Sequence, residues 1–138
     1  MMKLIFCIDD NNGMMFNNRR QSRDSVLCER VAALCAGSVL WMSDYSAKLF
    51  PDADGLKADN DYMAKAGEED FCFVEDLDYS LENCREVVLY KWNRHYPADR
   101  YFEADLKALG FKPVSKCDFE GSSHKKITEE IYQKQEAE

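Results

Sequence analysis

The sequence predicts an α/β fold: a single domain over residues 1–138, with a central, mostly parallel or mixed sheet of four to six strands flanked by helices. Three observations predict it. Short apolar runs (LIFCI, SVLWM, FCFV and EVVLY) recur along the chain, separated by segments of helical spacing or turn composition. The 138 residues suffice for one core and fall short of two. Hydrophobic residues make up 46% of the chain against only 6 Gly and 3 Pro, which excludes collagen-like and low-complexity chains.

The elements follow in order. Lys3–Ile8 reads as a first strand, apolar on both faces. Asp9-Asp10-Asn11-Asn12-Gly13 is a turn-forming run in which Gly13 can take a positive φ. Met14–Arg23 reads as an irregular connection. Asp24 or Ser25 caps a helix that carries Val26, Leu27, Arg30, Val31, Leu34 and Cys35 at helical spacing and closes at Gly37. Ser38–Met42 is a second strand, Tyr45–Phe50 a helical turn, Asp52–Asn60 a loop, and Asp61–Ala66 a short helix. Phe71–Val74 and Glu86–Tyr90 are further strands around a polar connection, Leu77–Arg85, with room for a short helix. Arg100–Ala104 and Phe111–Ser115 are candidate fifth and sixth strands. Ile127–Gln135 spaces Ile127, Ile131 and Tyr132 as a helix would, with a terminal strand as the alternative.

Charge and cysteine usage bound the function. The net charge of −8 is concentrated in residues 51–82, which hold two Lys/Arg against eleven Asp/Glu. An acidic chain is a poor general binder of nucleic acid, because phosphate contacts supply most of that affinity. No apolar run approaches the roughly 18 residues of a membrane helix, and MMKLIFCIDD reaches acid too soon for a signal peptide. The six cysteines show no C-x-x-C and no zinc spacing, so they read as reduced, small hydrophobes of a cytoplasmic protein. P-loop, G-x-G-x-x-G and G-x-S-x-G motifs are absent, and two histidines cannot make a site that needs three.

Candidate chemistry comes from the strand ends. Three predicted strands run into Asp9-Asp10, Ser43-Asp44 and Glu75-Asp76. If parallel, they bring these carboxylates to the edge where open α/β sheets place ligands. Asp9, Asp10, Asp44 and Asp76 are then candidate ligands for Mg²⁺, with Arg19, Arg20 and Arg23 neutralising a phosphate. The same residue types also cap helices and open turns. Trp92, Arg94 and Tyr96 suit stacking on a flat ligand, or else cover the core. Ser122 and Ser123 ahead of the last element suit an anion, or else cap it. His124 joins Asp9 and Asp44 as a candidate catalytic residue, although no Ser/Asp partner lies near it in sequence. The expected function is binding of a phosphorylated, nucleotide-like ligand at the acidic strand ends, with Mg-dependent phosphoester hydrolysis. The alternative is a non-catalytic binding or regulatory module, a homodimer acting through the Trp92–Tyr96 surface.

Two resemblances add to this reading. IDDNNGMMFNNRRQSRD, YKWNRHYPADRYF and DFEGSSHKKITEEIY resemble a family of small bacterial proteins that carry the automatic name "ribonuclease Z". That name implies a zinc phosphodiesterase built on an H-x-H-x-D-H motif, which this chain lacks. In layout the chain also resembles the dihydrofolate reductase fold. IFCIDDNNGM is similar to that fold's opening strand and glycine turn, EVVLYKW…YPADRYF to its late strand pair, and FKPVS…EIYQ to its closing strands. The resemblance implies a folate-binding acid, for which Asp24 is the nearest candidate, and a cofactor-binding double glycine, which is missing here.

Overall fold

Alternation of apolar residues at period two is what places the first strand. In β1 (Met2–Ile8), Leu4, Phe6 and Ile8 pack into one buried cluster while Ile5 packs into another on the opposite face. The strand is therefore interior to a sheet covered on both sides, as a continuous apolar run requires. The computed structural model describes residues 1–51 and 53–135.

Nine further strands and three helices follow in chain order among the described residues. They are β2 (Gly13–Phe16), β3 (Arg19–Arg20), α1 (Ser25–Leu34), β4 (Leu40–Met42), α2 (Asp44–Ala47), β5 (Leu56–Ala58) and α3 (Tyr62–Lys65). The second half adds β6 (Phe71–Phe73), β7 (Cys84–Lys91), β8 (Arg100–Tyr101), β9 (Phe111–Phe119) and β10 (Ile127–Lys134). Seven strands form the main sheet in the order β5-β4-β6-β1-β7-β10-β9, one more than the upper count expected. The first five of that order are parallel, and β10 is antiparallel to both β7 and β9, so the sheet is mixed. Because β4, β6, β1 and β7 run the same way, their carboxyl ends share one edge, as the parallel reading requires.

α1 covers one face of this sheet. Asp24 caps it by accepting from the Val26 and Leu27 N–H groups, and Leu27, Val31 and Cys35 pack against Ile5, Phe73, Val88 and Trp92. Gly37 follows with φ +82°, in the left-handed region that ends a helix. On the other face, Phe102, Leu106 and Phe111 close over Leu4, Phe6, Val87 and Leu89. None of the helices is long and apolar enough to cross a membrane among the described residues.

Several local expectations are corrected. The segment Met14–Arg23 is not irregular: β2 and β3 form a hairpin whose two-residue turn, Asn17-Asn18, has φ of 53° and 61°. That is the primed turn that matches strand twist, and asparagine tolerates it. β8 pairs with β2 to complete a second, three-stranded sheet. In the turn after β1 the positive φ belongs to Asn12 (64°), whereas Gly13 is required by close approach. A Cβ there would lie 2.6 Å from Ala98 Cβ. Leu56–Ala58 is a strand inside the expected loop, and Leu77–Arg85 holds no helix. The last element is the strand β10, because it fills the gap between β7 and β9, where a helix would leave both ladders unpaired.

Candidate functional site

The strand-end carboxylates do reach one edge, but Asp9, Glu75 and Asp76 are consumed by their own neighbourhoods and Asp10 and Asp44 are exposed. Asp9 is buried (3% exposed) and accepts from the Asn11 and Gly13 N–H groups at 2.9 and 2.7 Å on one oxygen. Its other oxygen accepts from Gln21 Nε2 and the Tyr96 N–H, both at 3.1 Å. Burial alone would raise this carboxyl, but the N–H groups of Gly13, Asn11 and Tyr96 and the Gln21 amide outweigh it and hold the pKa below the usual carboxylate range. Glu75 is paired with Arg20 through two bonds of 3.0 and 3.1 Å and accepts from Ser46 Oγ at 2.7 Å. Asp76 accepts from Ser43 Oγ at 2.7 Å, and Asp44 lies exposed beside Asn60.

The expected metal centre of Asp9, Asp10, Asp44 and Asp76 is therefore not formed. Among the described residues no group of three His, Cys, Asp or Glu side chains is placed to hold a metal ion. The physical reason is that the oxygens of Asp9 and Asp76 are turned onto local N–H and O–H donors, while Asp10 and Asp44 face solvent, so the four do not converge on one point. Asp9 and Asp44, proposed as catalytic, are respectively the clasp of a turn and a surface residue.

The arginines separate likewise. Arg19 is exposed on the hairpin, and Arg20 is spent on Glu75 with its guanidinium 4.3 Å from the Tyr45 ring centroid. Arg23 alone lines an open cleft. Trp92 is buried and stacks on His124, with centroids 4.6 Å apart and planes 27° apart, so its ring is not offered as a surface. Arg94 is exposed and only approaches the Ser123 carbonyl, at 3.5 Å.

What the fold does assemble is a network around Asp24. Its Oδ1 accepts from the N–H groups of Val26, Leu27 and Ser122 at 3.0, 3.2 and 2.9 Å. Its Oδ2 accepts from the Ser123 N–H at 2.9 Å, Ser123 Oγ at 3.3 Å and His124 Nδ1 at 2.9 Å. Burial opposes the charge, yet the bonds from Ser123, His124, Ser122 and Leu27 prevail and hold the Asp24 carboxyl well below its ordinary value. A carboxylate on Nδ1 fixes the proton there and makes Nε2 an acceptor. Ser22 Oγ and Tyr96 Oη both reach that nitrogen, at 3.0 and 3.1 Å. Ser122 Oγ also accepts from the Ser25 N–H at 3.0 Å, so Ser122 and Ser123 bind the start of α1 to the loop before β10. Of the sequence candidates, the structure brings together Arg23, Tyr96, Ser122, Ser123 and His124.

Beside this network lies a cleft of about 650 Å³ between α1 and a wall of Lys48, Leu49, Phe50, Pro51 and Ala53. Cys28, Ala32, Leu49, Phe50 and Ala53 form its apolar walls, and Arg23, Glu29, Lys48, Ser122 and Ser123 supply polar groups. Burial, then the nearby Glu75 charge, pushes the Cys28 thiol up to about 11, so it stands in the wall as a neutral group. Sequence reading did not single out Cys28, Glu29, Lys48 or Ser22 as site residues. For α1 the available signal was the side of the helix opposite Leu27 and Val31, but its partner wall at 48–51 and 53 carries no motif.

No family model matches the sequence, and neither does any curated protein. Among solved structures, dihydrofolate reductase from Enterococcus faecalis complexed with NADP(H) and RAB-propyl is similar over 99% of this chain and 97% of that one. The TM-score is 0.68 at 11% sequence identity. This likeness, with no metal-holding group among the described residues, overturns the Mg-dependent phosphoester hydrolase and the hydrolase implied by the label ribonuclease Z. The layout resemblance seen in the strands is correct: the chain has the fold of dihydrofolate reductase.

Proposed function

We propose that the protein binds a flat heteroaromatic acid, the chemical class of folates and nucleotides, in the cleft between α1 and the wall of residues 48–51 and 53. The cleft itself carries this reading. Its volume of about 650 Å³ lies in the range of small-molecule sites, and its walls are apolar with few polar groups. Arg23 and Lys48 suit the anionic tail of such a ligand. Asp24 is not the group that receives a ring amino substituent, because the N–H groups of Val26, Leu27 and Ser122 already occupy one of its oxygens and those of Ser123 and His124 the other. Glu29 is the other carboxylate in the cleft, and it suits that role.

The dihydrofolate reductase neighbour supports the reading at the level of fold, and its complex holds NADP(H). The residues at this chain's sheet edge do not fit that cofactor. A dinucleotide pyrophosphate needs free N–H donors or unpaired cations. Here the edge presents Glu75 and Asp76, its arginine is neutralised by Glu75, and the void beside Arg20 and Glu75 measures about 10 Å³. The first N–H groups of α1 are taken by Asp24. No hydride-transfer step is therefore assigned.

Thermal melting with folate, dihydrofolate, AMP and NADPH tests the proposal, with loss of reduced-nicotinamide absorbance followed in parallel. A ligand at 100 times its Kd should stabilise the fold by about 2.7 kcal/mol. Folate or AMP is expected to raise the melting temperature, and Ala32→Trp, which fills the cleft, to abolish the rise. Failure of every compound, or an unchanged rise in Ala32→Trp, refutes the cleft as the site.

A further inference from the structure

We propose that Ser22, His124 and Asp24 form a nucleophile, base and orienting acid that hydrolyse short-chain carboxylic esters, an activity separate from ligand binding in the cleft. Such a constellation is recognised by geometry and roles and not by chain order. His124 Nδ1 lies 2.9 Å from Asp24 Oδ2, and Nε2 lies 3.0 Å from Ser22 Oγ. Both distances fall within the reach that links a nucleophile to its base and the base to its orienter.

The supporting residues hold this arrangement rigidly. Trp92 stacks on the imidazole and fixes the ring plane. The backbone N–H groups of Leu27, Ser122 and Ser123 keep Asp24 ionised and oriented, so it is a positioning residue. Ser22 is only partly buried, unlike His124 and Asp24. It borders a void of about 10 Å³ shared with Cys7, Arg20, Gln21 and Trp92, which is space for about one water-sized group. The acyl side chain that fits is therefore a single methyl, that of an acetyl ester. Tyr96 Oη also meets Nε2, at 3.1 Å, and can hold the base while Ser22 is acylated.

The reaction balances without a further reactant than water. Ser22 Oγ attacks the ester carbonyl carbon as its proton passes to His124 Nε2, and the carbonyl π pair moves onto oxygen. Collapse of that intermediate breaks the carbon–alkoxide bond, and the departing alcohol takes the proton from Nε2. Water then gives a proton to His124 and attacks the acylated Ser22. The carboxylic acid leaves, and the proton returns to Ser22 Oγ.

The test is labelling of the full chain with a fluorophosphonate, located by peptide mass spectrometry, together with hydrolysis of p-nitrophenyl acetate. A single adduct on Ser22 is expected, absent in Ser22→Ala at an unchanged melting temperature. His124→Gln should slow labelling by about 100-fold or more. An unlabelled wild type, a label elsewhere, or equal ester hydrolysis by Ser22→Ala overturns the proposal. For Asp24, the downfield Nδ1 proton resonance of His124 should vanish in Asp24→Asn, with acylation slowed and KM unchanged. Acylation at the wild-type rate in that variant overturns its positioning role. Failure of the cleft ligands above leaves these readouts untouched, so the two proposals fall separately.

Discussion

Asp24 and His124 stand 100 positions apart and meet at 2.9 Å, both buried. One carboxylate thereby caps α1, collects the Ser122 and Ser123 N–H groups and sets the tautomer of the only buried histidine. Removing it leaves several donors buried without partners. Asp24→Ala is expected to destabilise the fold by about 2–4 kcal/mol, more than a lost helix cap alone. Urea denaturation measures it, and a loss under about 1 kcal/mol would show that the loop before β10 readjusts freely.

Gly121 makes room for that carboxylate. A Cβ at this position would overlap Asp24 Oδ2 and come within 2.8 Å of both Asp24 Cγ and Ile127 Cδ1. Gly121→Ala should cost about 1–3 kcal/mol through overpacking, although its φ lies outside the left-handed region. Gly110→Ala is the contrast: nothing lies within 4 Å, but φ is +90°, so strain is its only cost. Melting temperatures of the pair separate crowding from backbone strain.

Acid should unfold the protein through Asp24 and Asp9. Both have folded pKa values below the unfolded one, so their contribution is present above the unfolded value near 4. It declines as pH falls through the depressed folded values, where the folded state must also take up the protons. A pH series of melting temperatures should fall steeply below about pH 4, and Asp24→Asn should flatten the slope. An equal slope in that variant would assign the transition to other carboxyls.

The Arg20–Glu75 pair locks the hairpin onto the sheet edge. Glu75 is 8% exposed, so Glu75→Gln leaves the guanidinium beside Tyr45 without its counter-ion. The expected loss is about 2 kcal/mol, below the 3–5 kcal/mol of a fully buried pair because Arg20 retains some exposure. Hydrogen exchange in residues 14–22 should rise in this variant, and unchanged protection would disprove the lock.

Magnesium should leave the melting temperature where it is. A resident metal site would stabilise the folded state by mass action, and the strand-end acids are already satisfied by protein donors. A clear upward shift in millimolar MgCl₂ would contradict that.

The elements legible in the sequence were those with local periodicity. Leu4, Phe6 and Ile8 alternate with Ile5 and Cys7, and Leu27 and Val31 follow Asp24 at cap-and-helix spacing, so β1 and α1 needed no partner to be read. β10 did not separate from a helix, because Ile127, Ile131 and Tyr132 satisfy both patterns; the open edge of β7 decided it. The hairpin at Asn17-Asn18 carried a turn signal, but its arginines masked two short strands. At the site, the acids' shared edge was legible and their occupation was not. Donors to Asp9 and Asp24 come from Tyr96, Ser122, Ser123 and His124, far along the chain.

The sequence by itself determined which residues are apolar enough to be interior, where the first helix is capped, and that three-histidine or P-loop chemistry is excluded. Only the tertiary structure decided which carboxylates keep free oxygens and that His124 has an acid and a hydroxyl on its two nitrogens. The physical reason is that burial and periodicity are properties of neighbouring residues. The satisfaction of a buried charge depends instead on N–H groups delivered from the opposite end of the chain.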